Sequence, residues 1–239
     1  PIKVAQYGIS SVISIVDDEL IERMRKYYSN QIGIPFQSIS ASEEDGRAKR
    51  ITAYLDLVQD IINTQIERLK NSRKEISDSL KKYIVLQPDS SPIRTTYQQF
   101  LAEGSEDKKK LIFDTLLSFI EAGQIDVNIM SKVDKINHDR KGNALEGHYS
   151  DASAALRGFA NSKVKSSVVL SAGMNPRLYS YIAELPSFFP NKAGEFDKKI
   201  TLKVSDFRSA LIKAKFLAKK GIWISEYRIE SGLNCGGHA

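Results

Sequence analysis

In the second half of the chain, short apolar runs alternate with longer amphipathic stretches. Ile125-Asp126-Val127-Asn128-Ile129-Met130, Ser167-Val168-Val169-Leu170-Ser171, Ile200-Thr201-Leu202-Lys203-Val204 and Ile222-Trp223-Ile224-Ser225-Glu226-Tyr227 are each short and bounded by polar segments, so they predict strands. Between them lie segments with helical spacing: 150–161, a stretch opened by Pro176 that carries Leu178, Tyr181, Ile182 and Leu185, and 205–219 with Ala210, Leu211, Ala214, Leu217 and Ala218. Alternation at this spacing predicts βαβ units in a parallel sheet. Right-handed crossovers can close such a sheet into a barrel or leave it open, and periodicity does not choose between them.

The first half reads as more helical. Val4-Ala5-Gln6-Tyr7 predicts a short strand that ends in the small-residue turn Gly8-Ile9-Ser10-Ser11. Asp17 and Asp18 precede Leu20, Ile21, Met24 and Tyr28, an N-cap followed by helical spacing, and Gly33 and Pro35 end that helix. Over 46–82, Ile51, Leu55, Val58, Ile62, Ile66 and Leu69 recur every three or four positions, with Arg50, Asp56, Asp60, Glu67 and Arg68 on the opposite face. Such a stripe packs against a core; a contact between copies in a homo-oligomer is the alternative. Ile84-Val85-Leu86 predicts a further short strand, and helices are expected at 95–102 and 107–122.

Composition narrows the class. The 239 residues are 41% hydrophobic, enough for a sizeable core, and the length suits one large α/β domain. No apolar run approaches the ~20 residues that span a bilayer, and the first residues lack a signal-peptide pattern. The one cysteine, Cys235, forms no intrachain disulfide. A cytoplasmic protein with no membrane partner is expected. The net charge of +6 comes from 35 basic residues interspersed with 29 acidic ones. No aromatic–basic platform for nucleic acid is present, so a small-molecule substrate is the expected partner.

In a parallel barrel the chemistry gathers on the loops after the strands. The candidates there are Gly8 and Ser10, then Asn128, then Ser171, Gly173, Asn175 and Pro176, and finally the segment from Ser231 to His238. Glycine lets backbone approach a flat or charged ligand, and loop N–H groups bind phosphate or flavin oxygen atoms. His238 follows Gly236-Gly237 and can exchange a proton near neutral pH, whereas His138 and His148 lie in a polar loop. No Cys/His zinc cluster, Walker-type loop or Gly-x-Ser-x-Gly elbow occurs.

Taken in order, these motifs resemble those of nitronate monooxygenases and the flavin-type enoyl-acyl-carrier-protein reductases. Ser231-Gly232-Leu233-Asn234-Cys235-Gly236-Gly237-His238 is similar to their Gln/Glu-Gly-x-Glu-Ala-Gly-Gly-His segment. Val127-Asn128-Ile129-Met130 resembles their Val-Asn-Ile/Leu strand, and Ser171-Ala172-Gly173-Met174-Asn175-Pro176 their Gly-Ala-Gly-Asn-Pro turn. The resemblance covers about 125–239. It implies the α/β class and a (β/α)8, TIM-barrel-like parallel barrel, whole or incomplete. That barrel would be a single domain over 1–239 with a helical insertion at about 17–83.

The same resemblance implies FMN at the barrel mouth. Asn128, Ser231 and Gly236 would contact the flavin, with Ser171 and Gly173 in the adjoining turn and Gly8 and Ser10 in the first-strand flavin loop. His238 would serve as acid or base on the substrate proton. The implied function is FMN-dependent oxidation of a small carbon acid, as in a monooxygenase. A flavin-dependent enoyl reductase using a reduced nicotinamide donor, or a non-catalytic barrel subunit that binds a partner, are the alternatives. Two departures stand out: Ser231 replaces the Gln/Glu, and Asn234-Cys235 replaces Glu-Ala. The families also continue past the histidine with two strands and a Gly-rich phosphate segment. No such segment follows Ala239 in this sequence, so weak FMN binding is expected.

Overall fold

A computed structural model describes residues 1–71, 76–131, 134–139 and 141–230. The chain divides into two compact units, Pro1–Ser11 with Val58–Gln124, and Val12–Leu57 with Ile125–Ala239. The residues 58–124 of the first unit overlap the expected insertion at about 17–83 only over 58–83.

The first unit is helical. It contains α1 (Ile2–Ala5), α4 (Asp78–Val85), α5 (Pro92–Ala102) and α6 (Glu106–Ser118), with the C-terminal part of α3 (Gly46–Lys70). Two expected strands are helical here. Around Val4-Ala5-Gln6-Tyr7, the amides of Tyr7 and Gly8 bond back to Val4 and Ala5, and Gly8 closes the turn at φ +75°. These local bonds satisfy the backbone without a sheet partner. Ile84 and Val85 complete α4 instead of forming a strand. Ser77 caps that helix at the Leu80 amide, and Leu80, Tyr83 and Ile84 bury one face at helical spacing. That period outweighs the β-propensity of three residues.

The second unit carries the sheet, β1 (Ser11–Ile15), β2 (Ile125–Ile129), β3 (Ser166–Leu170), β4 (Lys198–Val204) and β5 (Glu226–Ile229), in the order β1-β2-β3-β4-β5. Its helices are α2 (Asp18–Ile32), α7 (Asp151–Asn161), α8 (Pro176–Ile182), α9 (Phe207–Ala218) and the first part of α3. The pairs β2–β3, β3–β4 and β4–β5 are parallel, with Ile129, Leu170, Leu202 and Tyr227 in register. The strands expected in the second half are thus neighbours in one parallel sheet. The last begins later than expected, because Gly221 at φ +73° ends α9 and the Ile222 amide returns to the Leu217 carbonyl.

Strand order equal to chain order is that of a singly wound sheet; a doubly wound sheet needs a reversal. On one face Ile13, Ile15, Val127, Ile129, Val168, Leu170, Ile200, Leu202 and Val204 are buried, and there α7 packs on β2 and α9 on β4; on the other face Ser167, Val169 and Thr201 are buried as well. Ser14, Asp126, Asn128, Val169, Thr201, Glu226 and Arg228 alternate onto the other. The sheet is also curled. Arg228 on β5 comes within 3.8 Å of Asp126 on β2, three strands away and four residues out of register. On a flat sheet their Cα atoms would stand roughly 20 Å apart, from spacings of about 4.8 Å across and 3.3 Å along the strands. Two such side chains cannot bridge that span. A five-stranded, singly wound, curled parallel sheet is compatible with part of a parallel barrel.

In α3 the whole expected stripe is buried, from Ile51 to Leu69. Arg50, expected on the exposed face, is only 7% accessible, because Asp18 of α2 pairs with both Arg50 and Arg47. Among the described residues no helix is long and apolar enough to cross a membrane.

Candidate functional site

The strand ends bring polar groups together on the face opposite the one that α7 and α9 pack against. Asn128 is the penultimate residue of β2, flanked by buried Val127 and Ile129 that face the helices, so the strand's alternation turns its amide the other way. Its Nδ2 donates to Ser14 Oγ on β1 at 3.1 Å. The same sheet row continues through Val169, Thr201 and Glu226. There Thr201 Oγ1 donates to Glu226 at 3.3 Å, Arg228 Nε donates to Glu226 at 3.0 Å, and Arg228 reaches on to Asp126. Asn128 therefore stands in a hydrogen-bonded, charged layer, half-exposed itself between exposed Ser14 on β1 and buried Val169 on β3.

Past β3, Ser171 shares a hydrogen bond with Ser131, which is fully buried just past β2. Gly173 lies half-buried in the following turn. Asn175 caps α8 at the Leu178 amide, 3.1 Å away, and its Nδ2 donates to Ser131 O at 3.1 Å and to Asp134 at 3.0 Å. Asp134 also accepts from the Ala152 amide at 3.0 Å and from Arg177 at 2.6 Å. Burial alone would raise its pKa; the bonds from Arg177, Ala152 and Asn175 outweigh it and hold the carboxyl below the usual range. The loops after β2 and β3 are thereby fastened to each other. Sequence reasoning missed Asp134, since its partners lie 18, 41 and 43 residues away.

Gly8 and Ser10 do not occupy a strand end. The first strand begins after them, at Ser11, so both precede β1. Ser10 Oγ accepts from the Gln124 amide at 3.2 Å. Gly8 lines a cavity of about 340 Å³ in the helical unit, with Tyr83, Gln87 and Ser91. Their expected place in a strand-end flavin loop is corrected: the Ser11-Val12-Ile13-Ser14-Ile15 alternation, not Val4 to Tyr7, makes the strand. Ser231, Gly236 and His238 lie outside the described residues. In the chain they follow the C-terminal end of β5.

His148 packs against Tyr149 with ring centroids 4.3 Å apart, with Nδ1 3.3 Å from Glu146, and His138 bridges to Ala144 within the same loop between β2 and α7. Two further concavities belong to this unit. A cleft of about 270 Å³ at the ends of β1 and β2 is lined by Val16, Met130, Ala155, Arg47 and Asp151. A groove of about 380 Å³ on the helix side of β5 is lined by Phe207, Leu211, Tyr227 and Ile229 and is almost wholly apolar. Among the described residues no group of three or more His, Cys, Asp or Glu side chains could hold a metal ion. No known family model matches this chain, and no curated protein matches it.

Proposed function

We propose that this chain is an FMN-dependent oxidoreductase of the nitronate-monooxygenase type, with β1 to β5 as part of a (β/α)8 barrel. One observation carries the reading. Asn128 and the Ser171–Gly173 turn stand at the ends of adjacent strands of a singly wound, curled sheet, and the His238 segment follows the end of β5. Their order along the chain is the order of the resembled motifs, and Asn128 and the Ser171–Gly173 turn lie at the strand ends where parallel barrels place their chemistry.

The donors present suit a flavin ring. Asn128 offers an amide whose present acceptor is a serine hydroxyl, and exchanging that acceptor for a ligand carbonyl costs little. Ser171 adds a hydroxyl, and Gly173 backbone without a Cβ. Bound FMN supplies the acceptor for two electrons from the substrate carbon. In this reading Asn128 would hold the ring by a hydrogen bond, Ser231 and Gly236 would be its further contacts as the resemblance implies, and His238 would take the proton from the substrate carbon.

Stopped-flow reduction of bound flavin tests the assignment. His238→Asn keeps a polar side chain but cannot titrate near neutral pH. It should fold, retain flavin and slow reduction by a neutral carbon acid by about 10²–10⁴-fold, while the preformed substrate anion suffers less. Equal rates for the variant and the parent on the neutral acid would remove His238 from the mechanism.

A further inference from the structure

We propose that Lys213 is a positioning residue for the Ser171–Gly173 turn, holding that turn against the end of β4 from the helix layer. Lys213 occupies a core position of α9, in the 210, 213, 214, 217 stripe, and is only 3% accessible. Its Nζ donates to the Lys203 carbonyl at 3.0 Å and to the Ala172 carbonyl. These carbonyls belong to β4 near its end and to the turn that follows β3.

An ammonium is a costly choice at such a position. Burial drives its pKa down, opposed by Asp206 alone. Methionine or leucine would fill the space without desolvating a charge. What lysine adds is two directed donors, and both go to backbone at adjacent strand ends. The turn is then held from two sides, by Ser131 at Ser171 and by Lys213 at Ala172. Lys198 supplies an internal comparison. It is equally buried, but it lies at the start of β4 and donates to the Ser162 and Val164 carbonyls instead.

That the turn holds flavin rests on the proposed function; that Lys213 orders the turn does not. Backbone ¹⁵N relaxation reads the second point without any ligand. Ala172, Gly173 and Met174 should show order parameters near 0.85 in the parent chain, and low values there would overturn the proposal without any variant. Lys213→Met should drop them below about 0.6 while Val168 and Val169 stay rigid; Lys213→Arg should restore them, and Lys198→Met should leave them unchanged. A loss of order spread evenly through β3, or none, would show a lysine that only fills space. FMN fluorescence titration reads the first point. Lys213→Met should weaken binding at least fivefold and Lys198→Met should not. If the parent chain binds no FMN, the flavin reading fails while the relaxation result stands.

Discussion

Arg228, on the last strand described, reaches Asp126 on β2 across two intervening strands. The contact reports the curl of the sheet, since only a concave face brings these side chains together. Both are partly exposed and Arg228 also pairs with Glu226 at 2.9 Å, so the individual attraction is modest. A double-mutant cycle with Asp126→Asn and Arg228→Met should give a coupling of about 0.5–1 kcal/mol that shrinks in high salt. Additive effects of the two substitutions would mean that the strands do not curl this far in solution.

Gly158 runs against helix propensity for a packing reason. In a helix interior, alanine is usually better than glycine by about 0.5–1 kcal/mol. A Cβ on Gly158 of α7, however, would stand 2.8 Å from Ile51 Cβ and 2.9 Å from the Ala48 carbonyl of α3. Thr52 Oγ1 also donates to the Gly158 carbonyl at 3.0 Å, which keeps the two backbones close. Gly158→Ala should therefore destabilise the chain by about 1–2 kcal/mol in urea unfolding, the cost of overpacking. A stabilised variant would show that α3 and α7 are not in contact here.

Lys198 gives the fold an alkaline signature. Its ammonium donates to two backbone carbonyls and the Ser162 hydroxyl, and among the described residues it pairs with no carboxylate. Burial pushes its pKa from the ordinary 10.5 down to about 8, with Asp56 and Asp197 opposing. Between pH 8 and 10.5 the unfolded chain thus binds more protons than the folded one, and folding stability rises with pH. At about 1.4 kcal/mol per pKa unit, the parent should gain roughly 3 kcal/mol relative to Lys198→Met across that window. A parent-minus-variant difference that stays flat with pH would contradict the buried charge.

Much of the sheet was legible in the sequence. β2, β3 and β4 fall within two residues of their apolar runs, because each run is bounded by polar or small residues. The cap at Asp17 and the left-handed Gly33 were equally plain. The first strand was not, since Ser10, Ser11 and Ser14 give a strand the composition of a turn. What escaped the sequence in the site shares one physical character. Asp134, Lys213 and the Asp126–Arg228 pair act through partners brought together by the packing of separate strands and loops, and no local period encodes them. The reading of Asn128, Ser171 and Gly173 as strand-end residues agrees with their placement, because it depended on strand boundaries alone.

Titration of FMN with the purified chain, followed by isoalloxazine fluorescence, tests the flavin assignment most directly. The account predicts saturable quenching at one flavin per chain, and at least tenfold weaker binding in Asn128→Leu, where a hydrogen-bonding group is lost beside a polar ligand. Unsaturable quenching, or equal affinity in Asn128→Leu, would contradict a flavin held at the ends of β2 and β3.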